Sequence, residues 1–175
     1  MPIRQRLESI RGCGVSKLSS RSENLICRRN ASFETPQGRA FADELRASGL
    51  AVELVEDEEA PARLAGASLL LVGADTVFRD GTLCNKIGTR TLAEAAAERE
   101  VPTIVACEVI KLAPIESTQT GELPREVREL FDLTPPELVH AVVTEEGTVS
   151  SDEVHALVDR TPFLREGYAL LGRTP

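Results

Sequence analysis

Asp75 and Lys86 are the two side chains whose types and spacing could do chemistry together. Asp75 follows an apolar run over residues 69–72 and the dipeptide Gly73-Ala74. A lone carboxylate therefore emerges where a strand, expected to be buried on both faces, leaves the core. Lys86 precedes Gly88-Thr89, which open an alanine-rich stretch over 91–100 of high helix propensity. A helix start with free N–H groups beside a lysine is an anion site, most often for phosphate. Lys86, Gly88 and Thr89 are thus candidate phosphate-binding residues, and Asp75 is the nearby acid. Taken singly, Asp75 also reads as a cap or turn residue and Lys86 as a solvated surface charge. Their placement on either side of one turn is what points to function.

The surrounding pattern supplies the elements that must position this pair. Extended character around Leu25-Ile26-Cys27 comes first, within residues 24–32. Thr35-Pro36 starts a helix with Ala40, Phe41, Leu45 and Leu50 on its apolar face, and Gly49 stops it. A strand over 50–55 and a short helix to Leu64, closed by Gly66, lead into the run at 69–72. Asp80-Gly81 predicts a tight turn between two short extended segments. Residues 102–107 read as another buried strand and 111–129 as the longest irregular piece, where a substrate loop or partner contact is expected. Thr134-Pro135-Pro136-Glu137 has the order of a capping box opening a helix. A last strand over 141–144 and a last helix over 151–157 complete the chain. Strands alternating with helices at this spacing predict right-handed βαβ units and a mostly parallel sheet. In such sheets ligands sit outside the carboxyl ends of the strands, which is where Asp75 falls.

Composition narrows the function classes. A chain of 175 residues is expected to form one domain with its own core. No Trp, one Tyr and five Phe leave no base-stacking platform, and a net charge of −8 argues against direct nucleic-acid binding. Charge is uneven. Residues 1–30 carry seven basic against two acidic side chains, a net of +5, which leaves −13 on residues 31–175. The first 23 residues therefore read as a basic arm, and 24–175 as the folded domain. No apolar run reaches the roughly 18 residues of a membrane span, and no apolar signal-peptide core follows Met1. Cys13, Cys27, Cys84 and Cys107 are widely spaced and only two His are present. A Cys/His metal site is therefore not expected, and reduced thiols in a cytoplasm fit best. No cofactor is implied.

Several of these segments resemble the translation initiation factor 2B α/β/δ family, which also contains methylthioribose-1-phosphate isomerase and ribose-1,5-bisphosphate isomerase. The resemblance is carried by Val72-Gly-Ala-Asp75, Asp80-Gly81, Asn85-Lys-Ile-Gly-Thr89, Phe131-Asp-Leu-Thr-Pro-Pro-Glu-Leu138 and Val143-Thr-Glu-Glu-Gly147. Glu34-Thr-Pro-Gln-Gly38 is similar to the family's Glu-Thr-Arg-Pro-x-x-Gln-Gly segment, without its Arg. The resemblance implies a three-layer Rossmann-like α/β domain that dimerises and binds a phosphorylated ligand in a cleft. It places Asp75 on the isomerases' catalytic acid, Asn85 and Lys86 on their sugar-phosphate contacts, and Gln37 on a substrate contact. It also makes Cys13 the candidate for the isomerases' thiol, although no His precedes it. The family's N-terminal helical domain carries its own Arg-Gly phosphate contact, whereas barely 23 residues precede the first matched strand here. The expected function is therefore an initiation factor 2B-like, phosphometabolite-binding and homodimeric assembly domain. The alternative is an aldose-1-phosphate isomerase with Asp75 as acid–base. An upstream Thr-His-Cys run would make this chain a fragment and restore the enzyme reading.

Overall fold

In the computed structural model, residues 24–29, 36–120 and 124–170 are described. The basic arm and Cys13 lie outside them, as do the side chains of Cys27 and Gln37. The chain runs β1 (Asn24–Arg29), α1 (Pro36–Ala47), β2 (Ala51–Glu56), α2 (Ala60–Arg63) and β3 (Leu70–Val72). It continues through β4 (Thr76–Val77), β5 (Leu83–Lys86), α3 (Thr89–Ala97), β6 (Thr103–Ala106), α4 (Arg125–Arg128) and β7 (Phe131–Thr134). The last elements are β8 (Ala141–Thr144), β9 (Gly147–Val149), α5 (Val154–Asp159) and α6 (Pro162–Leu170). It is a mixed α/β fold whose sheet is mostly parallel and flanked by helices, as the alternation predicts.

The β1–β2 pair is parallel, and so is the run β3-β6-β8, to which β9 adds antiparallel. Every residue of β6 and β8 is buried, in keeping with all-apolar strands covered on both faces. β3 is only half-buried along its length, contrary to expectation, because it is the end strand of its sheet. The main core joins Val105 and Val142 from the sheet to Val154, Leu157 and Val158 of α5 and to Val77 and Leu83 of the hairpin. A second cluster packs Val55 and Leu64 against Leu92 and Ala96 of α3.

Several local expectations are corrected. α1 buries the expected Leu45 together with Ala42, while the expected Ala40 is exposed and the side chain of Phe41 lies outside the described residues. The segment 131–134 is a strand, not the approach to a helix. β7 pairs antiparallel with β5, in a three-stranded sheet β4-β5-β7. Strand pairing captures Thr134 opposite Leu83, so its hydroxyl caps nothing. The brief 3-10 turn at Pro136–Leu138 starts from Pro135 with no side-chain cap. A true capping box forms later, where Ser150 and Glu153 exchange hydrogen bonds ahead of α5. The chain also continues past both its expected ends, with β9 after β8 and α6 after α5.

The Asp80-Gly81 turn does join two short antiparallel strands, β4 and β5. Gly81 sits at φ +82°, and a Cβ there would lie 2.6 Å from the Ser151 backbone oxygen. Only glycine meets both conditions. The irregular stretch after β6 is strapped onto this hairpin. Ala113 N donates to Val77 O at 2.8 Å and Arg79 N to Ile115 O at 3.0 Å. Asp80 accepts from Thr82 N and from the N–H and hydroxyl of Ser117. Arg79 forms ion pairs with Glu116 and Asp159, both at 2.9 Å. These bonds fix the hairpin that carries Lys86 at its far end.

Candidate functional site

Asp75 lies two residues beyond Gly73 at the carboxyl end of β3, half-buried, with its N–H donated to the Cys84 carbonyl at 3.1 Å. That single bond ties the acid to the strand bearing Asn85 and Lys86. Along β5, side chains alternate between faces, so Cys84 and Lys86 share one face while Leu83 and Asn85 share the other. Antiparallel register sets Cys84 opposite Leu133, Asn85 opposite Asp132 and Lys86 opposite Phe131. Residues directly opposite lie on the same face. Lys86 Nζ accordingly stands 5.6 Å from the centroid of the Phe131 ring, within cation–π range.

Cys84 marks the electrostatic character of the place. Burial pushes its thiol up from the ordinary range, and the charges of Asp75 and Asp132 add to that. Burial and the field of these two carboxylates both disfavour the thiolate form that a nucleophile needs. Cys84 is a half-buried free thiol, and Cys107 is buried in the core. Among the described residues no three His, Cys, Asp or Glu side chains are grouped to hold a metal, and no helix is long and apolar enough to cross a membrane.

The start of α3 is built differently from the open N-terminus expected. Gly88 is its N-cap at φ +88°, with no capping side chain of its own. The N–H groups there are met from across the sheet. Gly88 N donates to Asp132 Oδ2 at 2.6 Å, and Arg90 N approaches both carboxylate oxygens at 3.2 and 3.3 Å. A carboxylate at a helix N-terminus satisfies orphan donors and complements the dipole. Thr89 is 2% exposed. Its hydroxyl donates to Lys86 O at 2.6 Å and accepts from Asn85 Nδ2 at 3.2 Å. Gly88, Thr89 and Asn85 thus hold the turn together, while Asp75 is tied to it through its backbone bond to Cys84.

Asp132 is the residue that sequence reasoning missed. Its signal was present, since an acidic residue inside Phe131-Asp-Leu-Thr is unusual for a segment that turns out to be a strand. Reading the segment as the approach to a helix hid it. The structure brings Asp75, Asn85, Lys86, Gly88 and Thr89 together on one hairpin and its following helix. Gln37 falls at the start of α1, and Cys13 lies outside the described residues. A groove of about 870 Å³ also exists, lined by Pro102, Thr103, Val139, His140, Glu137 and neighbouring residues. These residues precede β6 and β8, so the groove opens at the amino ends of the strands, away from Asp75. In open α/β sheets the carboxyl ends are the functional side.

Residues 32–129 match the model of the Initiation factor 2 subunit family. Over 142 residues the chain is 36% identical to ribose 1,5-bisphosphate isomerase of Haloferax volcanii, a match covering 70% of this chain and 44% of that protein. The chain spans about half the length of such relatives. The crystal structure of a Pyrococcus horikoshii translation initiation factor 2B is similar at 26% identity and a TM-score of 0.64, covering 84% of this chain and 66% of that one. The β subunit of translation initiation factor 2B from Chaetomium thermophilum shares the fold, at 20% identity and a TM-score of 0.68, over 90% of this chain and 54% of that one.

Proposed function

The chain belongs to the Initiation factor 2 subunit family, and from that premise we propose that it is a translation initiation factor 2B subunit-like domain. In this reading it binds a phosphorylated small molecule, a sugar phosphate or nucleotide, and pairs with a second copy of itself in the cytoplasm. The observation that carries the reading is the bond from the Asp75 N–H to the Cys84 carbonyl, which ties the acid at the carboxyl end of parallel strand β3 to the strand that bears Asn85 and Lys86. Lys86 supplies the cation for the ligand's phosphate, with Asn85 beside it. Gly88 and Thr89 shape the turn, and a phosphate reaching the Gly88 N–H must displace Asp132. Gln37, from the start of α1, is assigned to the sugar.

The second reading is catalysis, favoured by a carboxylate beside the phosphate-binding cation and by relatives named as isomerases. Converting an aldose 1-phosphate to the ketose requires ring opening and then movement of a proton from C2 to C1. In this reading Asp75 takes and returns that proton, and Cys13 is the chain's candidate thiol.

A calorimetric titration with ribose 1,5-bisphosphate, methylthioribose 1-phosphate and AMP, followed by a ketose assay, separates these readings. Binding without turnover supports the binding domain. Turnover that Asp75→Asn abolishes makes the chain an isomerase. No binding of any of the three refutes both. Light scattering that finds only a monomer at micromolar concentration removes the self-association.

A further inference from the structure

Leu130 and the first two residues of β7 hold the turn that carries Lys86. Leu130 O accepts from Ile87 N at 2.9 Å, the Phe131 ring lies under Lys86 Nζ, and the Asp132 carboxylate takes the Gly88 and Arg90 N–H groups. The Gly88–Asp132 bond, at 2.6 Å, is in the short range of charge-assisted hydrogen bonds. It spans 44 residues of sequence, so the helix cap comes from a different element rather than from the turn itself. Gly88 has a left-handed backbone and no side chain to cap with. Without an outside acceptor two main-chain donors at the helix start, Gly88 N and Arg90 N, lose their partner, and only the Thr89 and Asn85 bonds hold the turn.

From this geometry we infer that Asp132 is a positioning residue for ligand binding: its carboxylate clamps the start of α3 and thereby sets the Asn85–Lys86 segment, with Phe131 steering the lysine. The inference rests on the reading of Lys86 as the phosphate contact. It also explains why a helix N-terminus beside a lysine leaves the phosphate to the side chain. The main-chain donors are already spent on an internal anion, so the ligand's charge is met by Lys86. Asp132 lies on the opposite face of β5 from Lys86 by strand alternation, and acts through the turn rather than by touching the ligand.

The test is a double-mutant cycle on binding of ribose 1,5-bisphosphate, using Asp132→Ala, Asp132→Asn, Lys86→Ala and the two Asp132 changes combined with Lys86→Ala. Amide hydrogen exchange at Gly88 and Arg90 is measured on the same proteins. Asp132→Ala is expected to weaken binding roughly five- to tenfold and to speed exchange at both amides. Asp132→Asn, which keeps an acceptor oxygen, restores part of the loss. In the Lys86→Ala background neither change at Asp132 weakens binding further, because the lysine it positions is gone. A purely structural role would give losses that add.

Equal or tighter binding by Asp132→Ala overturns the inference, since Asp132 would then be a competitor for the ligand's anion. Additive losses overturn it too. If Asp132→Ala does not fold, the Asp132→Asn arm of the cycle decides by the same criterion. Absence of binding by the unmodified chain, with exchange at Gly88 and Arg90 still faster in the variant, would overturn the phosphate reading of Lys86 and leave the clamp standing. Unchanged exchange would overturn the clamp itself.

Discussion

Gly73 and Gly81 lie eight residues apart on either side of the candidate acid, and replacing each by alanine should separate structural from functional glycine. At Gly81 an added Cβ meets two penalties. The left-handed backbone at φ +82° costs an ordinary residue about 1–2 kcal/mol. The Cβ would also stand 2.6 Å from the Ser151 carbonyl oxygen and 3.2 Å from the Pro136 Cβ. The first contact is with backbone and cannot be relieved by turning a side chain, so the hairpin and the 3-10 turn at Ser151–Glu153 must part. Overpacking of this kind adds about 1–3 kcal/mol. The sum is about 2–5 kcal/mol, a large share of the roughly 5–15 kcal/mol stability of a typical domain. For a domain of this size it corresponds to a fall in Tm of about 4–20 °C. At Gly73 the backbone is not left-handed and an added Cβ meets no protein atom within 4 Å. Gly73→Ala should leave the Tm within about 2 °C. The same substitution adds a methyl group beside Asp75 and should weaken ribose 1,5-bisphosphate binding if the ligand approaches that face. Thermal melts by circular dichroism and a calorimetric titration read both variants. A Gly81→Ala protein melting within about 2 °C of the parent would refute the contact argument. Gly73→Ala that destabilises as much as Gly81→Ala would show that the pair does not divide as described.

Lys86→Ala should weaken phosphate-ligand binding about 10- to 100-fold, as expected for loss of one charged contact. It should lower the melting temperature by only a few degrees, because a half-buried cation–π contact is worth about 0.5–2 kcal/mol; an unchanged dissociation constant places the anion site elsewhere. Thr134→Val should be neutral or stabilising by up to about 1 kcal/mol in a urea melt. The Thr134 hydroxyl is fully buried with no hydrogen-bond partner among the described residues, and such a group costs more than a methyl group of similar shape; a loss above 1 kcal/mol would contradict that. Acid should loosen the strap over residues 113–117 before the rest of the fold. Burial pushes the Asp80 carboxyl up, but bonds from Ser117 and Thr82 outweigh it and hold it below the ordinary range. Hydrogen bonding from Arg79 lowers Asp159 in the same direction. Depressed carboxylates contribute stability above their unfolded value, near pH 4, and lose it as pH falls through the lower folded value. Proteolysis or exchange that begins in this segment below about pH 4 is the expected result, and uniform loosening of the whole domain would count against it.

The candidate site was legible where chemistry is written in consecutive residues. Gly73-Ala74-Asp75 after an apolar run located the acid, and Lys86 before Gly88-Thr89 located the turn, because strand, turn and helix-start chemistry are local. Asp132 could not be located in the same way. Its partners, Gly88 and Arg90, are 44 and 42 residues distant, and nothing in the intervening sequence states that two short strands will pair there.

The sequence by itself determined the alternation of strands and helices, the parallel core of β6 and β8 and the glycine turn of the β4–β5 hairpin, and it singled out Asp75 and Lys86 as the candidate groups. These follow from periodicity, propensity and backbone sterics, which act over a few residues. Only the tertiary structure decided that β3 ends its sheet, that residues 131–134 pair with β5 rather than lead into a helix, and that Asp132 closes the start of α3. Strand register and a cap supplied from another element are set by which surfaces meet once the core of Val77, Leu83, Val142 and Leu157 has formed. Those meetings depend on loop closure and packing between distant segments, and local sequence carries no record of them.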